Sequence, residues 1–534
     1  MGAYYNPGNH GFQRALNSKI YVDKTSLLEY TNSVLDSEQA YICVSRPRRF
    51  GKSITAEMLV AYYDKTCDSD KMFEGLKIAQ SSDYKQHLNQ YDIIHLDIAA
   101  LLQITDKETG VKITAEKTVQ YMQKVVIEEL RQAFPELVKN DEVDLPTVLG
   151  NIHLHTGIMF IVIIDEWDAI FREDKLDIKA QQAYISLLRG MFKSVASKKF
   201  LKLAYLTGIL PIKKYGTESA LNNFDEFTMI GADVLAEYVG FTEEEVRDLY
   251  NKYDMDFAQA KRWYDGYHLT ENLHIYNPKS VVDSIRRKRI ASYWTSTSSY
   301  ETIKDYIVMN FDGLKDAIVE MLAGGCCKID PTSFENDLVS FKSRDDVLTV
   351  LVHLGYLAYD IDNQEVCIPN EEVRCAFVNA IKITGWDYVI QAITASDDLL
   401  KATWQKDEEA VAKAIDAVHE ANTSVVKYND ENSLSCVISL AYYNAINEYR
   451  VIRELPTGKG YADVVFLPRK HSDKPAMIVE LKWDKSAEGA IGQIKERQYT
   501  TALQDYQGNM LLVGINYDKK TKKHECKIEE VKKQ

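Results

Sequence analysis

The run Phe160-Ile161-Val162-Ile163-Ile164 is unbroken apolar sequence that stops at two acids, Asp165-Glu166. A strand without polar alternation is buried on both faces, which in soluble chains means a parallel sheet covered by helices on either side. The carboxyl end of such a strand is where these sheets hold ligands. A second segment fits the same sheet. Ala40-Tyr41-Ile42-Cys43-Val44-Ser45 reads as a strand, Arg46-Pro47-Arg48-Arg49-Phe50-Gly51-Lys52-Ser53 as a loop, and a helix follows from Ile54 with Met58, Leu59 and Tyr62 facing inward.

The loop carries the right half of the phosphate-binding pattern G-x-x-x-x-G-K-[ST], with Arg46 where the first glycine normally stands. In that pattern backbone N–H groups cradle phosphates, the lysine (here Lys52) reaches the outer oxygens, and the hydroxyl (Ser53) ligates Mg²⁺. Asp165 is placed to hold the same Mg²⁺ through water and Glu166 to polarise the attacking water. A further strand, Phe200–Leu206, ends in Thr207-Gly208, a hydroxyl whose place resembles that of the γ-phosphate sensor of AAA-type ATPases. Taken singly, each motif has a plain structural reading: a basic helix start, and an N-cap pair after a core strand. In this order and spacing they point to ATP. Arg48 and Arg49 read either as phosphate contacts or as solvated loop charges.

Far along the chain, Ala462-Asp463-Val464-Val465-Phe466 and Ile478-Val479-Glu480-Leu481-Lys482-Trp483 read as two short apolar strands interrupted by charge. Period-two alternation sets Glu480 and Lys482 on one face, and pairing of the strands brings Asp463 to them. Two carboxylates beside an ammonium are costly to hold unless a divalent cation lies between the acids, so Asp463 and Glu480 read as Mg²⁺ (or Mn²⁺) ligands and Lys482 as the residue that orients water. An exposed cross-strand ion pair is the plain alternative. These residues resemble the PD-(D/E)XK nuclease superfamily. The element order agrees: a helix over Glu431–Ile446, strands near Tyr449–Leu455, Ala462–Leu467 and Met477–Trp483, a helix from about Glu488 to Leu503, and a strand over Asn509–Asn516. The resemblance adds Glu431 and Gln493 as supporting residues of the catalytic set.

Across its whole length the chain resembles the AAA-ATPase-like proteins that carry a PD-(D/E)XK nuclease-like C-terminal domain. The resemblance rests on Tyr21-Val22-Asp23-Lys24-Thr25, the Arg46–Ser53 loop, Asp165-Glu166, Leu221-Asn222-Asn223, Trp263-Tyr264-Asp265-Gly266-Tyr267 and Tyr276-Asn277-Pro278. It implies a prokaryotic ATPase joined to a nuclease-like domain, and it makes the missing first glycine a family trait.

The expected fold class is α/β multidomain. Residues 1–240 form a P-loop AAA-type ATPase core, 241–300 a helical lid, 301–395 a helical, winged-helix-like connector, and 396–534 a restriction-endonuclease-like α/β domain. In the lid, Thr242 and Glu245 make a capping box. In the connector, a helix ending at Gly355 precedes a hairpin, Leu357–Ile361 and Glu365–Ile368, read as a domain spacer before a nucleic-acid contact. The formal net charge of −15 opposes simple binding to polyanions, but residues 451–534 hold 16 Lys/Arg against 12 Asp/Glu. Eight scattered cysteines lack zinc-type spacing and fit reduced thiols. No stretch has the ~20 apolar residues a membrane helix needs. The sequence thus predicts a cytoplasmic, ATP-gated, Mg²⁺-dependent nuclease acting on DNA or RNA, with a homo-oligomer or protein partner left open. The alternative is a nucleotide-switched scaffold, binding nucleic acid or protein, whose nuclease fold does not cut.

Overall fold

The computed structural model describes every residue except 1, 106–111, 174–176, 213, 216–217, 271–272, 295–298, 310, 323, 385, 423–436, 439, 458–459, 470–471, 497–505, 507 and 532–534. The chain divides into two compact units. The first comprises residues 1–297, 329–364 and 369–372; the second comprises 298–328, 365–368 and 373–534. Residues 301–395, expected as a connector, are shared between them. Within that stretch the helix Arg344–His353 forms as expected, Gly355 follows it with φ +85°, and short strands occupy Ala358–Asp360 and Glu365–Cys367.

The first unit is built on a wholly parallel sheet of β1 (Tyr41–Ser45), β2 (Asp92–Asp97), β3 (Phe160–Asp165), β4 (Leu201–Gly208) and β5 (Asp225–Phe227), in the order β2-β3-β4-β1-β5. Every residue of β1 and β3 is buried, as the unbroken apolar runs require. Tyr41, Cys43, Val162, Ile164 and Leu206 share one core with Val126, Ile152, Leu188 and Phe192 from helices packed over the sheet. The register pairs Asp97 with Asp165 and Val44 with Thr207, so the carboxyl ends of the central strands finish level. Helix α1 (Lys52–Tyr63) starts there, entered through Gly51 at φ +96°, a conformation that costs glycine nothing.

The segment expected as a helical lid is only partly helical. Helices α2 (Glu243–Lys252) and α3 (Pro278–Arg287) and the helix Phe257–Tyr264 form, but Tyr267–Thr270, Leu273–Tyr276 and Phe241–Thr242 make a three-stranded antiparallel sheet between them. Val246, Tyr250, Tyr264, Tyr276, Val281 and Ile285 form its core. The Thr242/Glu245 capping box is present, and Asn277 caps α3 by accepting from the N–H groups of Lys279 and Ser280. Gly266 sits at φ +119°, and a Cβ there would lie 2.0 Å from the Pro369 carbonyl oxygen, so no other residue fits the turn.

The second unit holds a mixed sheet of β6 (Tyr449–Thr457), β7 (Gly460–Pro468), β8 (Ala476–Trp483), β9 (Met510–Asp518) and β10 (Lys523–Val531), in sequence order. Only β8 and β9 pair in parallel. Helix α5 (Ala487–Glu496) connects them and crosses close over Gly514, where a Cβ would lie 2.4 Å from the Ala487 carbonyl oxygen. Helix α4 (Glu408–Asn422) meets β10 through Glu408, which accepts from the Ile528 N–H. The expected first helix falls largely outside the described residues; Val437, Ile438, Leu440 and Ala441 are helical, and Ala445–Glu448 forms one further turn. Strand β10, which the sequence reading did not anticipate, completes the sheet.

Candidate functional site

A cavity of about 1070 Å³ lies above the carboxyl ends of the first unit's strands. Its lining combines apolar and aromatic residues, among them Phe12, Ile20, Tyr21, Tyr238 and Phe241, with the loop Arg48–Ser53, Glu166 and Arg172. Helix α3 contributes Lys279, Asp283 and Arg286. The start of α1 has neither a side-chain cap nor an acid in its first turn, so its N–H groups and dipole remain available to an anion. Asn277, the α3 cap, donates Nδ2 to the Arg48 carbonyl at 3.4 Å, and Lys24 donates to the Glu237 carbonyl and to Glu245 at 2.7 and 2.6 Å. The loop and the lid segment are therefore joined directly.

The residues expected to bind nucleotide separate into two groups. Arg48, Arg49, Phe50, Gly51, Lys52 and Ser53 line the cavity, with Arg48, Arg49 and Ser53 exposed. Arg46 does not face it. Its side chain is 0% exposed, and NH1 donates to the carbonyls of Ser45 and Phe227 at 3.0 and 3.1 Å. Burial lowers its pKa to about 10, still charged at neutral pH. Arg46 thus ties the end of β1 to β5 and is not a phosphate contact. Pro47 packs against Gly355, where a Cβ would meet its ring at 2.7 Å.

Lys52 donates Nζ to the carbonyls of Arg46 and Pro47 at 3.0 and 3.1 Å and lies 3.8 Å from Glu166 Oε1. Burial depresses its pKa, with Glu166 and Asp165 opposing that shift. Asp165 Oδ1 accepts from the Thr207 hydroxyl and from the Glu166 N–H at 3.0 Å. Thr207 therefore braces Asp165, and both are buried behind the cavity wall. Glu166 is 22% exposed and pairs with Arg172, which also donates Nε to Asp168 at 2.9 Å. Burial raises the Glu166 pKa, against the pull of Lys52 and Arg172. Asp168 in turn accepts from the backbone N–H groups of Ile209 and Leu210 at 3.1 and 2.8 Å. Sequence reading missed Asp168 and Arg172. Their signal was the four-residue spacing that places an acid and an arginine on one helical face beside Glu166.

In the second unit the β7–β8 register pairs Val464 with Val479, which sets Asp463 opposite Glu480 one step further on. Asp463 Oδ2 accepts from the Leu481 N–H at 2.7 Å. Glu480, 0% exposed, accepts at Oε1 from Lys482 Nζ at 2.8 Å and from Gln493 Nε2. Lys482 also donates to the Leu481 carbonyl at 3.0 Å. Lys482 and Gln493 thus meet at the Glu480 carboxylate, and Asp463 bonds the backbone of the adjoining residue, Leu481, from the neighbouring strand. Glu431 lies outside the described residues. The two carboxylates are hard oxygen donors of the kind that suits a small divalent cation, and the lysine is a hydrogen-bond donor beside them.

Residues 10–217 match the family described as Predicted AAA-ATPase, and residues 429–527 match the PD-(D/E)XK nuclease superfamily. Solved structures of low similarity include Cdc6p from Pyrobaculum aerophilum, at 11% identity, 70% of this chain, 98% of that chain and a TM-score of 0.23. Another is the ORC2 protein of Aeropyrum pernix in ADPNP–ADP complexes, at 11% identity, 70% and 98% coverage and a TM-score of 0.29. No curated protein sequence matches significantly. Among the described residues no helix is long and apolar enough to cross a membrane.

Proposed function

We propose that this chain, an AAA-ATPase-like protein carrying a PD-(D/E)XK nuclease-superfamily domain, hydrolyses ATP in its first unit and cleaves phosphodiester bonds of DNA or RNA in its second. The observation that carries the reading is the buried Glu480 carboxylate held by Lys482 and Gln493, with Asp463 on the adjacent strand bonded to the Leu481 N–H. A fully buried glutamate inside a sheet is expensive as half of a mere ion pair, because burial disfavours its charged form.

In the ATPase unit the aromatic lining residues of the cavity accept a base and the uncapped start of α1 accepts phosphates. Lys52 swings from the loop carbonyls to the outer phosphate oxygens. Ser53 and Asp165 would hold Mg²⁺, which when bound would supply positive charge beside the transferred group. Glu166 orients the attacking water, with Arg172 fixing its carboxylate. Arg48, Arg49 and Arg286, all on the cavity wall, add positive charge around the phosphates.

In the nuclease unit Asp463 and Glu480 would hold the divalent cation, Mg²⁺ or Mn²⁺, which polarises the scissile phosphate and lowers the pKa of its bound water. Lys482 orients that water and Gln493 holds Glu480 in place. ATP binding gates this activity in the proposed reading, which the two sites' presence on one chain motivates.

The deciding assay compares wild type with Asp463→Ala on single- and double-stranded DNA and RNA, with Mg²⁺ or Mn²⁺ and with or without ATP. Cleavage that vanishes in the variant establishes the nuclease and names its substrate. Absence of cleavage in protein that binds ATP replaces it with a switched scaffold whose nuclease fold only binds.

A further inference from the structure

Asp265, His268 and His274, none of which belongs to the two sites above, each bring a ligand atom within 4.8 Å of the others. The local fold does this with few residues. Asp265 ends the helix Phe257–Tyr264, Gly266 turns the chain, and the following antiparallel strands set His268 opposite His274. The two imidazole rings lie 4.1 Å apart, centroid to centroid.

His274 Nδ1 is 2.9 and 3.1 Å from the Asp265 carboxylate oxygens and 3.8 Å from Glu243 Oε2, at the start of α2. With Zn–N and Zn–O bonds near 2.0–2.2 Å, neighbouring ligand atoms on a tetrahedral zinc stand about 3.4 Å apart. The observed separations bracket that edge. Two carboxylates and two imidazoles also give the N₂O₂ donor set and double negative charge that suit a borderline divalent cation.

The position already attracts positive charge. The Lys261 ammonium contacts Glu243 Oε2 and lies 3.8 Å from Asp265 Oδ2, so it bridges the two carboxylates. Its side chain is 46% exposed and free to move aside. His268 is exposed at the rim, which leaves an entry path. A simple Asp265–His274 hydrogen bond explains one imidazole, and the strand register then sets a second one, tilted by 45°, directly beside it.

We propose that Asp265, His268 and His274, with Glu243 as fourth ligand, bind a zinc-class divalent cation that clasps the start of α2, the turn at Gly266 and the adjoining hairpin into one rigid piece. Lys261 is the counter-ion it displaces.

The test is titration of chelator-treated full-length protein with Zn²⁺ alone, followed by calorimetry, together with the Zn²⁺-induced shift in melting temperature. One zinc equivalent should weaken by at least about 100-fold in His268→Ala and in His274→Ala, since even loss of an outer-shell partner costs roughly 10–100-fold. The same equivalent should persist in Asp463→Ala, which separates it from zinc taken up at the nuclease-type site. Lys261→Met keeps all four ligands and should tighten the equivalent several-fold. Unchanged zinc affinity in both histidine variants overturns the proposal. So does unchanged affinity in Lys261→Met, which decides the matter should the histidine variants fail to fold.

Discussion

Lys52 Nζ stands 3.8 Å from Glu166 Oε1, so the lysine expected on phosphate and the acid expected on water already face each other across the cavity. The pairing makes the two residues separable by experiment. Lys52→Ala removes the buried cation that phosphate would recruit, and ATP affinity should fall at least tenfold. Glu166→Gln keeps the shape of the side chain and the Arg172 contact. It should bind ATP about as tightly as wild type yet turn it over ~10²–10⁴-fold more slowly, the range for loss of a general base. Equilibrium binding of a fluorescent ATP analogue beside steady-state phosphate release checks both. Equal loss of binding in the two variants would contradict these assignments.

The loop arginines should divide in the same way. Arg46 is sealed beneath the sheet's end, with NH1 on the carbonyls of Ser45 and Phe227. Removing a buried charge with its hydrogen bonds strands those carbonyls, so Arg46→Ala should cost ~2–4 kcal/mol of stability in urea unfolding. Arg48 and Arg49 are exposed on the cavity wall. The double variant Arg48→Ala/Arg49→Ala should leave stability within about 0.5 kcal/mol and weaken ATP binding. A large stability loss in the double variant would place these side chains in the framework instead.

Why the strand, loop and helix around Arg46–Ser53 and Asp165 were legible and their detailed contacts were not follows from the kind of information each needs. The run Phe160–Ile164 has one physical outlet, a strand buried on both faces, and Gly51 at φ +96° marks the loop's turn into α1. Arg46 was misplaced because a pattern fixes position along the chain and not which way a long side chain points. Asp168 and Arg172 escaped because their roles depend on a tertiary partner, Glu166, and on backbone N–H groups of Ile209 and Leu210 forty residues away. The small sheet in the lid segment was missed for a similar reason. Its strands are four residues or fewer and are held by Tyr264, Tyr276 and Val281 in a shared core that local periodicity does not reveal. In the second unit the Asp463–Glu480 pairing was readable because strand alternation dictates faces. Strand β10 was not, since Lys523–Val531 is too polar to register as a strand before its pairing with β9 is known.

Gln493 reaches Glu480 from helix α5 and is the one member of the cluster that carries no charge. Its expected role is positional: it fixes the carboxylate beside Lys482. Gln493→Ala should reduce cleavage about 10–100-fold, as removal of such a supporting hydrogen bond to a metal ligand typically does. Raising the Mg²⁺ or Mn²⁺ concentration should restore part of the rate. Failure of metal to rescue would mean that Gln493 acts on substrate directly.

The second unit should also lose stability on mild acidification, through His419. This imidazole packs against the Tyr517 ring at 4.7 Å and the His524 ring at 5.1 Å, between α4 and strands β9 and β10. Burial, reinforced by the like charge of His524 and only partly opposed by Asp416, lowers its pKa to about 4. An unfolded histidine titrates near 6.5. Between roughly pH 6.5 and 4 the unfolded chain therefore takes up a proton that the folded chain refuses, and folding stability drops as pH falls through that window. His524 acts with the same sign: its pKa is lowered by burial, with Asp416 at 2.8 Å opposing and Lys523 adding to the shift. His419→Gln deletes one of the two contributions. Its stability curve from about pH 7.5 to 4.5 should accordingly be shallower than that of wild type, with His524 supplying the remaining slope. Urea unfolding across that range, followed by circular dichroism, reads the difference. Parallel curves for the two proteins would show that His419 takes up its proton equally in the folded and unfolded states.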